Sequence, residues 1–164
     1  MPSLEEIVKE YQRPVYFFVR RLIKSHEDAA DITQQVFIQV HRNIKQLKIQ
    51  ANLRAWLYRI AQNLCYSHWR QQKKYTAVDI EAADHLLIDR RTPEEEVRKN
   101  QQQQLVREAV SALPYKQRVT LTLRVYEQMS YREIGQVLDC SENTAKVNYQ
   151  HALNQLKTVL GENL

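Results

Sequence analysis

The chain of 164 residues is long enough for one ordinary domain or two small helical ones. With only 2 glycines and 4 prolines it favours helices over sheets, and it offers too little glycine for a phosphate-cradling loop. The net charge is +5, no apolar run approaches the about 18 residues of a membrane span, and the N-terminus lacks a signal-peptide pattern, so we expect a cytoplasmic protein without membrane insertion.

Three helices are predicted in the first half of the chain. The first covers residues 4–24, where apolar residues recur at steps of three and four. Pro14 is expected to bend or interrupt it, because proline lacks an amide hydrogen. Ser25 is the expected N-cap of a second helix that ends near Leu47. A third helix follows over about 52–70, and the three segments form one helical bundle.

The stretch 75–93 differs from both of its flanks, because it is acidic and only weakly periodic. These features predict a flexible linker. Thr92 and Pro93, followed by three glutamates, then mark a strong helix start, since proline suits the first turn and carboxylates suit the positive end of the helix dipole. The helix that begins there should run to the region before Pro114.

A short helix, a three-residue turn and a second helix are predicted near the C-terminus. The short helix covers Tyr131 to Leu138, residues 139–141 form the turn, and Ser141 caps a final helix that starts at Glu142. Gly135 fits this arrangement as a point of close helix approach. The order is that of a helix-turn-helix, although a plain helical hairpin would give the same pattern. We therefore predict an all-α fold of two small helical domains, 1–74 and 94–164, joined by the linker 75–93.

Charge is distributed unevenly, and the unevenness points to a partner. From Ile32 to Val78 there is no Asp or Glu, yet eight basic residues occur: Arg42, Lys45, Lys48, Arg54, Arg59, Arg70, Lys73 and Lys74. Two tryptophans and several tyrosines interleave with them. An acid-free basic block with aromatic residues suits a polyanion, because cations displace counterions from phosphates. The pattern alone fits DNA, RNA or an acidic protein.

No catalytic constellation is visible in the sequence. The GxSxG, HExxH and DxDxDG motifs are missing, and the five histidines never pair at helical ligand spacing. Cys65 and His68 lie three apart and form half of a zinc site, but two ligands do not hold structural zinc. Cys65 and Cys140 lack CxxC spacing, and we expect two thiols in a reducing compartment. We predict neither a metal nor any other cofactor, and no enzyme.

Two helix faces carry further information. At about 100° per residue, one arc of the second helix is apolar and should face the bundle. The opposite arc is either a solvated polar face or a surface on which another helix docks, and it holds Asp28, Asp31, Gln34, Gln35 and Ile38. The final helix points amides and methyl groups outward, which suits contacts to adenine and thymine in duplex DNA. Its outward and flanking residues are Asn143, Thr144, Lys146, Val147, Asn148, Gln150, His151 and Asn154.

Four segments, in order, resemble the extracytoplasmic-function sigma factors, a group of the sigma-70 family. Residues 28–37, DAADITQQVF, resemble the family's DAEDIxQExF, and residues 56–63, WLYRIAQN, resemble its WLYRIAxN. Residues 112–118, ALPYKQR, resemble LPxxxR, and residues 129–135, MSYREIG, resemble LSYxEIA. The ordered set covers both predicted domains, about four fifths of the chain, and is far more specific than any single motif.

The resemblance implies partners and residue roles. Core RNA polymerase would bind the arc of the second helix named above, through the coiled-coil clamp helices of its largest subunit. The segment around Asn63, with its basic tail, would open the −10 promoter element and hold an extruded base. The final helix would read the −35 element as duplex. Besides the final helix, the implied DNA-binding residues are Arg54, Arg59, Asn63, Arg70, Lys73 and Lys74. Members of the family often have an anti-sigma partner, so the resemblance leaves open that this chain has an anti-sigma partner too.

The sequence also departs from the family pattern. Gln35 stands where glutamate is common, Ser67 where aspartate is usual, and Asn148 and His151 where two arginines are expected. Gln35 leaves the docking face one charge short, and the loss of the two arginines predicts different or weaker duplex reading. Two other functions stay open: a helix-turn-helix regulator that acts without polymerase, and a helical adaptor or anti-sigma-type protein that binds no DNA. The regulator leaves the basic block and the Asp31 arc unexplained.

Overall fold

The computed structural model describes residues 2–47, 52–75 and 93–161, with the backbone alone at 74–75 and 93–99. Every regular element in those ranges is helical, which confirms the predicted all-α fold. The elements are α1 (Leu4–Leu22), α2 (His26–Asn43), a 3-10 turn (Ile44–Gln46), α3 (Leu53–Tyr75), α4 (Pro93–Ser111), α5 (Tyr115–Val125), α6 (Tyr131–Leu138) and α7 (Glu142–Gly161).

The first helix shows how packing overrides a local helix breaker. Ser3 and Glu6 form a reciprocal capping box at its start. Pro14 does not interrupt the helix, so that part of the prediction is wrong. A proline inside a helix costs about 3 kcal/mol through the lost amide donor and a clash. Residues on both sides of it, Ile7, Val15 and Phe18, are fully buried, and their burial keeps the helix continuous.

The second and third helices complete a bundle with α1. Ser25 caps α2 by accepting a hydrogen bond from the Asp28 amide, as predicted. The α-helix ends at Asn43, four residues earlier than expected, and one 3-10 turn continues it. The stripe of Ile32, Val36 and Val40 is buried against the bundle, which confirms the helix wheel.

The second block, α4 to α7, contains the predicted helix-turn-helix. The first helix of this helix-turn-helix, α6, begins with a capping box of Ser130 and Glu133. It ends at the C-cap Asp139, which adopts the left-handed conformation at φ 55°. Ser141 then accepts a hydrogen bond from the Thr144 amide and so caps α7. At Gly135 a Cβ atom would lie 2.6 Å from the Cys140 carbonyl oxygen, so the expected close approach is confirmed.

The two blocks pack against each other in this structure. Helix α3 contacts α6, α1 contacts α5, and one buried apolar cluster runs from the first block into residues of α5, α6 and α7. Almost all of the predicted linker, 75–93, lies outside the described residues. The division into 1–74 and 94–164, and the independent folding of the two parts, therefore remain predictions.

Candidate nucleic-acid interface

One face of α3 gathers most of the predicted DNA-binding residues of the first block. Arg59, Asn63, Arg70 and Lys73 are all exposed. At about 100° per residue they fall within an arc of roughly 80° on the helix, and Tyr66 lies in the same arc. We call these five residues the α3 basic face. The side chain of Lys74 lies outside the described residues.

Aromatic rings support the cations of this face. The Arg70 guanidinium carbon lies 5.8 Å from the Tyr66 ring centroid, and the Lys73 ammonium lies 4.7 Å from the Trp69 ring centroid. Tyr66 and Trp69 are themselves stacked, with centroids 6.0 Å apart. A cation over the face of an exposed ring contributes about 0.5–1 kcal/mol, and the contact holds its charge at that face. Stacked rings with flanking cations can bind successive bases of a single strand.

Arg54 does not belong to this face. It lies more than a quarter turn away on α3, where its guanidinium donates to the Glu127 backbone carbonyl at 2.7 Å and approaches the Glu133 carboxylate at 3.6 Å. Its side chain is only 34 % exposed. Contacts with the second block therefore occupy the Arg54 side chain, and its role in DNA binding stays a prediction.

The outward face of α7 is arranged as the wheel predicted. Six of the predicted DNA-binding residues are exposed, namely Asn143, Thr144, Lys146, Val147, Gln150 and His151, while Asn148 is half-buried. Thr144 also bonds to the Ser141 hydroxyl through its own hydroxyl and amide, so its side chain fixes the helix start. Opposite them, Ala145 and Ala152 are fully buried. The exposed set presents one fixed cation, Lys146, among amides and a methyl group.

The polar arc of α2 is exposed on the far side of the apolar stripe. Asp31, Gln34 and Gln35 are exposed, and Ile38 keeps 44 % of its surface accessible. Asp28 differs from the other four, because its carboxylate lies 3.1 Å from His68 Nε2 on α3 and is half-buried. A groove between α1 and α2 adjoins Gln34 and Ile38. An exposed isoleucine ringed by short polar groups suits a docking helix.

Buried titratable groups lie between the blocks. Burial raises the pKa of the Cys65 thiol to about 12, which keeps the group a neutral thiol. His68, the other half of that motif, points its Nε2 at Asp28. Burial also lowers the pKa of Arg118, which is 8 % exposed. Within the described ranges no group of three or more His, Cys, Asp or Glu side chains could hold a metal ion.

Sequence reasoning missed the contacts that join the blocks. The Tyr58 hydroxyl donates to the Glu127 carboxylate at 2.7 Å, and the Tyr115 hydroxyl donates to the Gln62 carbonyl at 3.3 Å. Burial raises the pKa of both tyrosines. These pairs are separated by 69 and 53 residues, and no periodicity in the sequence indicates such long-range partners.

Comparison with known proteins gives a consistent result over most of the chain. The family model described as Sigma-70 region 2 matches residues 7–75, and the model Sigma-70, region 4 matches residues 103–156. The chain is 29% identical to the RNA polymerase sigma-H factor of Pseudomonas aeruginosa over 152 residues, which cover 88% of this chain and 79% of that protein. It is 30% identical to the ECF RNA polymerase sigma-E factor of Haemophilus influenzae over 149 residues, covering 85% and 78%.

Solved structures agree on the fold. The sigma factor RpoE from Bartonella quintana, solved in complex with the anti-sigma factor NepR, superposes with a TM-score of 0.72 at 21% identity and covers 96% of each chain. At that identity the likeness concerns the fold alone. No helix in the described residues is long and apolar enough to cross a membrane.

Proposed function

The chain belongs to the extracytoplasmic-function group of the sigma-70 family, and we propose that its two helical blocks divide polymerase docking, strand opening and duplex reading between them. As a sigma factor it directs core RNA polymerase to promoters for transcription initiation. We assign residues 1–74 to polymerase docking and the −10 element, and 94–164 to the −35 element. The proposed site of action is the cytoplasm, and the chain takes no catalytic role of its own.

Core polymerase docks, in this proposal, on the arc of Asp31, Gln34, Gln35 and Ile38. The support is their joint exposure on α2, opposite a fully buried stripe. Asp28 contributes indirectly by positioning this arc, because its bond to His68 joins the start of α2 to α3. The absence of a charge at Gln35 leaves Asp31 as the one exposed carboxylate among these four residues.

Strand opening is assigned to the α3 basic face, and its geometry is the observation that carries the proposal. Arg59, Asn63, Arg70 and Lys73 follow one line along the helix, with the stacked Tyr66 and Trp69 beside the last two. Cations along that line would neutralise successive phosphates of the strand. Asn63 offers a donor and an acceptor to the edge of an extruded base.

Duplex reading is assigned to the exposed face of α7. The amides of Asn143 and Gln150 can each make two hydrogen bonds to adenine, and the Val147 methyls can contact thymine. Lys146 is the one fixed cation among the predicted contact residues of α7, so few phosphate contacts support this helix. We therefore propose weak, amide-based reading of the −35 element, with most of the affinity supplied by the polymerase complex.

Transcription with purified components tests the assignment. Core polymerase alone, and core polymerase with the protein, are compared in run-off reactions on genomic fragments. We expect new, discrete transcripts only when both are present, and a shift of the labelled protein into the polymerase peak on gel filtration. A helix-turn-helix regulator without polymerase would instead bind promoter fragments by itself and leave that peak unlabelled. A helical adaptor would bind neither DNA nor polymerase.

An anti-sigma partner is also part of the proposal. Its support is the similar chain from Bartonella quintana, which was solved with such a partner. Affinity purification of the tagged protein from its own cells should recover one stoichiometric protein besides the polymerase subunits. Recovery of polymerase alone, under conditions that repress the transcripts, would argue against it.

A further inference from the structure

The C-terminal half of α1 lies in a second stretch of the chain without acids. Residues 11–26 contain no Asp or Glu, although glutamates lie immediately on both sides of them. On the helix, Arg13, Phe17 and Arg20 fall within an arc of roughly 60°, which points away from the buried side of α1. Lys24 is exposed just beyond the helix end. We call these four residues the α1 basic end.

Local contacts hold the side chains of the α1 basic end in place. The Arg13 guanidinium carbon lies 5.7 Å from the Phe17 ring centroid. The Phe17 ring makes a T-shaped contact with the Tyr16 ring, at 5.7 Å between centroids, and the Tyr16 hydroxyl hydrogen-bonds to His26 at the start of α2. Arg20 donates from Nη1 to two backbone carbonyls just after the helix. The surface is therefore ordered before any ligand binds, which lowers the entropic cost of binding.

The same side chains keep binding capacity that their local contacts do not use. Phe17 is 42 % exposed, so part of its ring is open to solvent. Within the described part of the chain, Nη2 and Nε of Arg20 have no hydrogen-bond acceptor, and both nitrogens carry donors. Arg13 and Lys24 form no ion pair with any residue that the structure describes. Three cations and one ring are therefore available to a ligand.

An exposed ring with cations on both sides suits a single strand of nucleic acid. Bases stack on an aromatic face, while the cations bind the phosphates next to them. Arg13 and Arg20 are about 10 Å apart along the helix axis, with Phe17 between them. A membrane surface requires a broad apolar face, and a protein partner requires a buried apolar core. The α1 basic end offers only the Phe17 ring for either purpose.

We propose that the α1 basic end is a further binding site for single-stranded nucleic acid, separate from the α3 basic face and from α7. Phe17 stacks on one base, and the three cations bind the phosphates beside it. Because α3 packs on the opposite, buried side of α1, a strand at this site does not lie on the α3 basic face. The same chemistry suits two sources, the DNA strand displaced in an open promoter and the new RNA.

Two variants of the full-length chain test the site. Phe17→Leu keeps an apolar side chain and removes the stacking face. The double variant Arg13→Gln, Lys24→Gln removes two cations at exposed positions. Its matched control is Arg107→Gln, Lys157→Gln, which makes the same change in net charge at exposed positions of α4 and α7. Far-ultraviolet circular dichroism confirms that each protein keeps its helices.

Fluorescence anisotropy measures the binding of labelled oligothymidine and oligouridine of equal length at several salt concentrations. We expect Phe17→Leu to bind at least about fivefold more weakly than wild type, because one stacked base is lost. The double variant should lower the slope of log affinity against log salt by about 1.4, since each phosphate contact to a single strand contributes about 0.7. The control should match wild type. Tighter binding of oligothymidine would identify the DNA strand as the source, and tighter binding of oligouridine the RNA.

The series is repeated in chains that also carry Arg70→Gln and Lys73→Gln, because the α3 basic face is proposed to bind the same kind of ligand. We expect the effects at the α1 basic end to persist there. Effects that vanish in this background, or variants that match the control in affinity and salt slope, would overturn the site. Polyglutamate or phosphatidylserine vesicles that bind wild type as tightly as the oligonucleotides, with Phe17→Leu unchanged, would overturn it too, because they would indicate an acidic protein or a membrane.

Discussion

Valine at position 135 should destabilise the helix-turn-helix. A Cβ atom there would lie 2.6 Å from the Cys140 carbonyl oxygen, whereas ordinary contact begins at 3.4 Å. The obstacle is backbone, which also donates from the Cys140 amide to the Gly135 carbonyl. The turn must therefore move by about 0.8 Å, the difference between the two distances, and overpacking of this kind costs about 1–3 kcal/mol of unfolding free energy.

The matched control is Gly161→Val, because among the described residues no atom beyond its chain neighbours and its own helix backbone lies within 4 Å of a Cβ at that helical position. Both variants replace glycine by valine in an α-helix, so any change in helix propensity has the same sign in both. In urea unfolding followed by circular dichroism, the urea concentration at the midpoint should fall for Gly135→Val and not for Gly161→Val. Binding of polymerase holoenzyme to a −35 duplex should weaken with it, since α7 shifts. Equal midpoints for the two variants would refute the close approach of the two helices.

Three further predictions follow from the assigned faces and the buried thiol. Asp31→Arg should weaken binding to core polymerase in a titration while changing unfolding free energy by less than about 0.5 kcal/mol, because the residue is exposed; unchanged affinity would remove the docking assignment. Gln150→Ala should relax preference at one −35 position by about 1–3 kcal/mol, whereas Lys146→Ala should weaken all sequences alike and lower the salt slope by about one; the opposite pattern would exchange their roles. Cys65 should resist a thiol reagent at pH 8 until urea unfolds the chain, because burial raises its pKa from 9.0 to about 12. Because the thiol ionises at lower pH in the unfolded chain than in the folded one, the free energy of unfolding should fall as pH rises above 9.0.

Local signals in the sequence predicted the elements of the second block well. The serine cap at 141, the helix start at Pro93 and the close approach at Gly135 each depend on residues within a few positions of one another. Such signals are readable because the backbone groups at a helix end must find nearby partners. The exposed arc of α2 and the outward face of α7 followed equally from helical periodicity.

Properties that depend on the packing of distant residues were not predictable. Pro14 breaks an isolated helix, yet burial on both sides of it keeps α1 continuous. Arg54 matched its basic neighbours in charge, but only the fold places it beside Glu127 and Glu133 and away from Asn63. Sequence patterns report a residue's helix face and not the element that packs on it.

Permanganate footprinting of Asn63→Ala tests the central assignment most directly. Permanganate oxidises unpaired thymines, so it reports promoter opening separately from binding of the closed complex. With core polymerase and a responsive promoter, we expect the variant to bind duplex DNA as wild type does but to leave the −10 thymines unreactive, because the base-holding amide on the α3 basic face is gone. Normal thymine reactivity in the variant would contradict the role assigned to Asn63 and to that face.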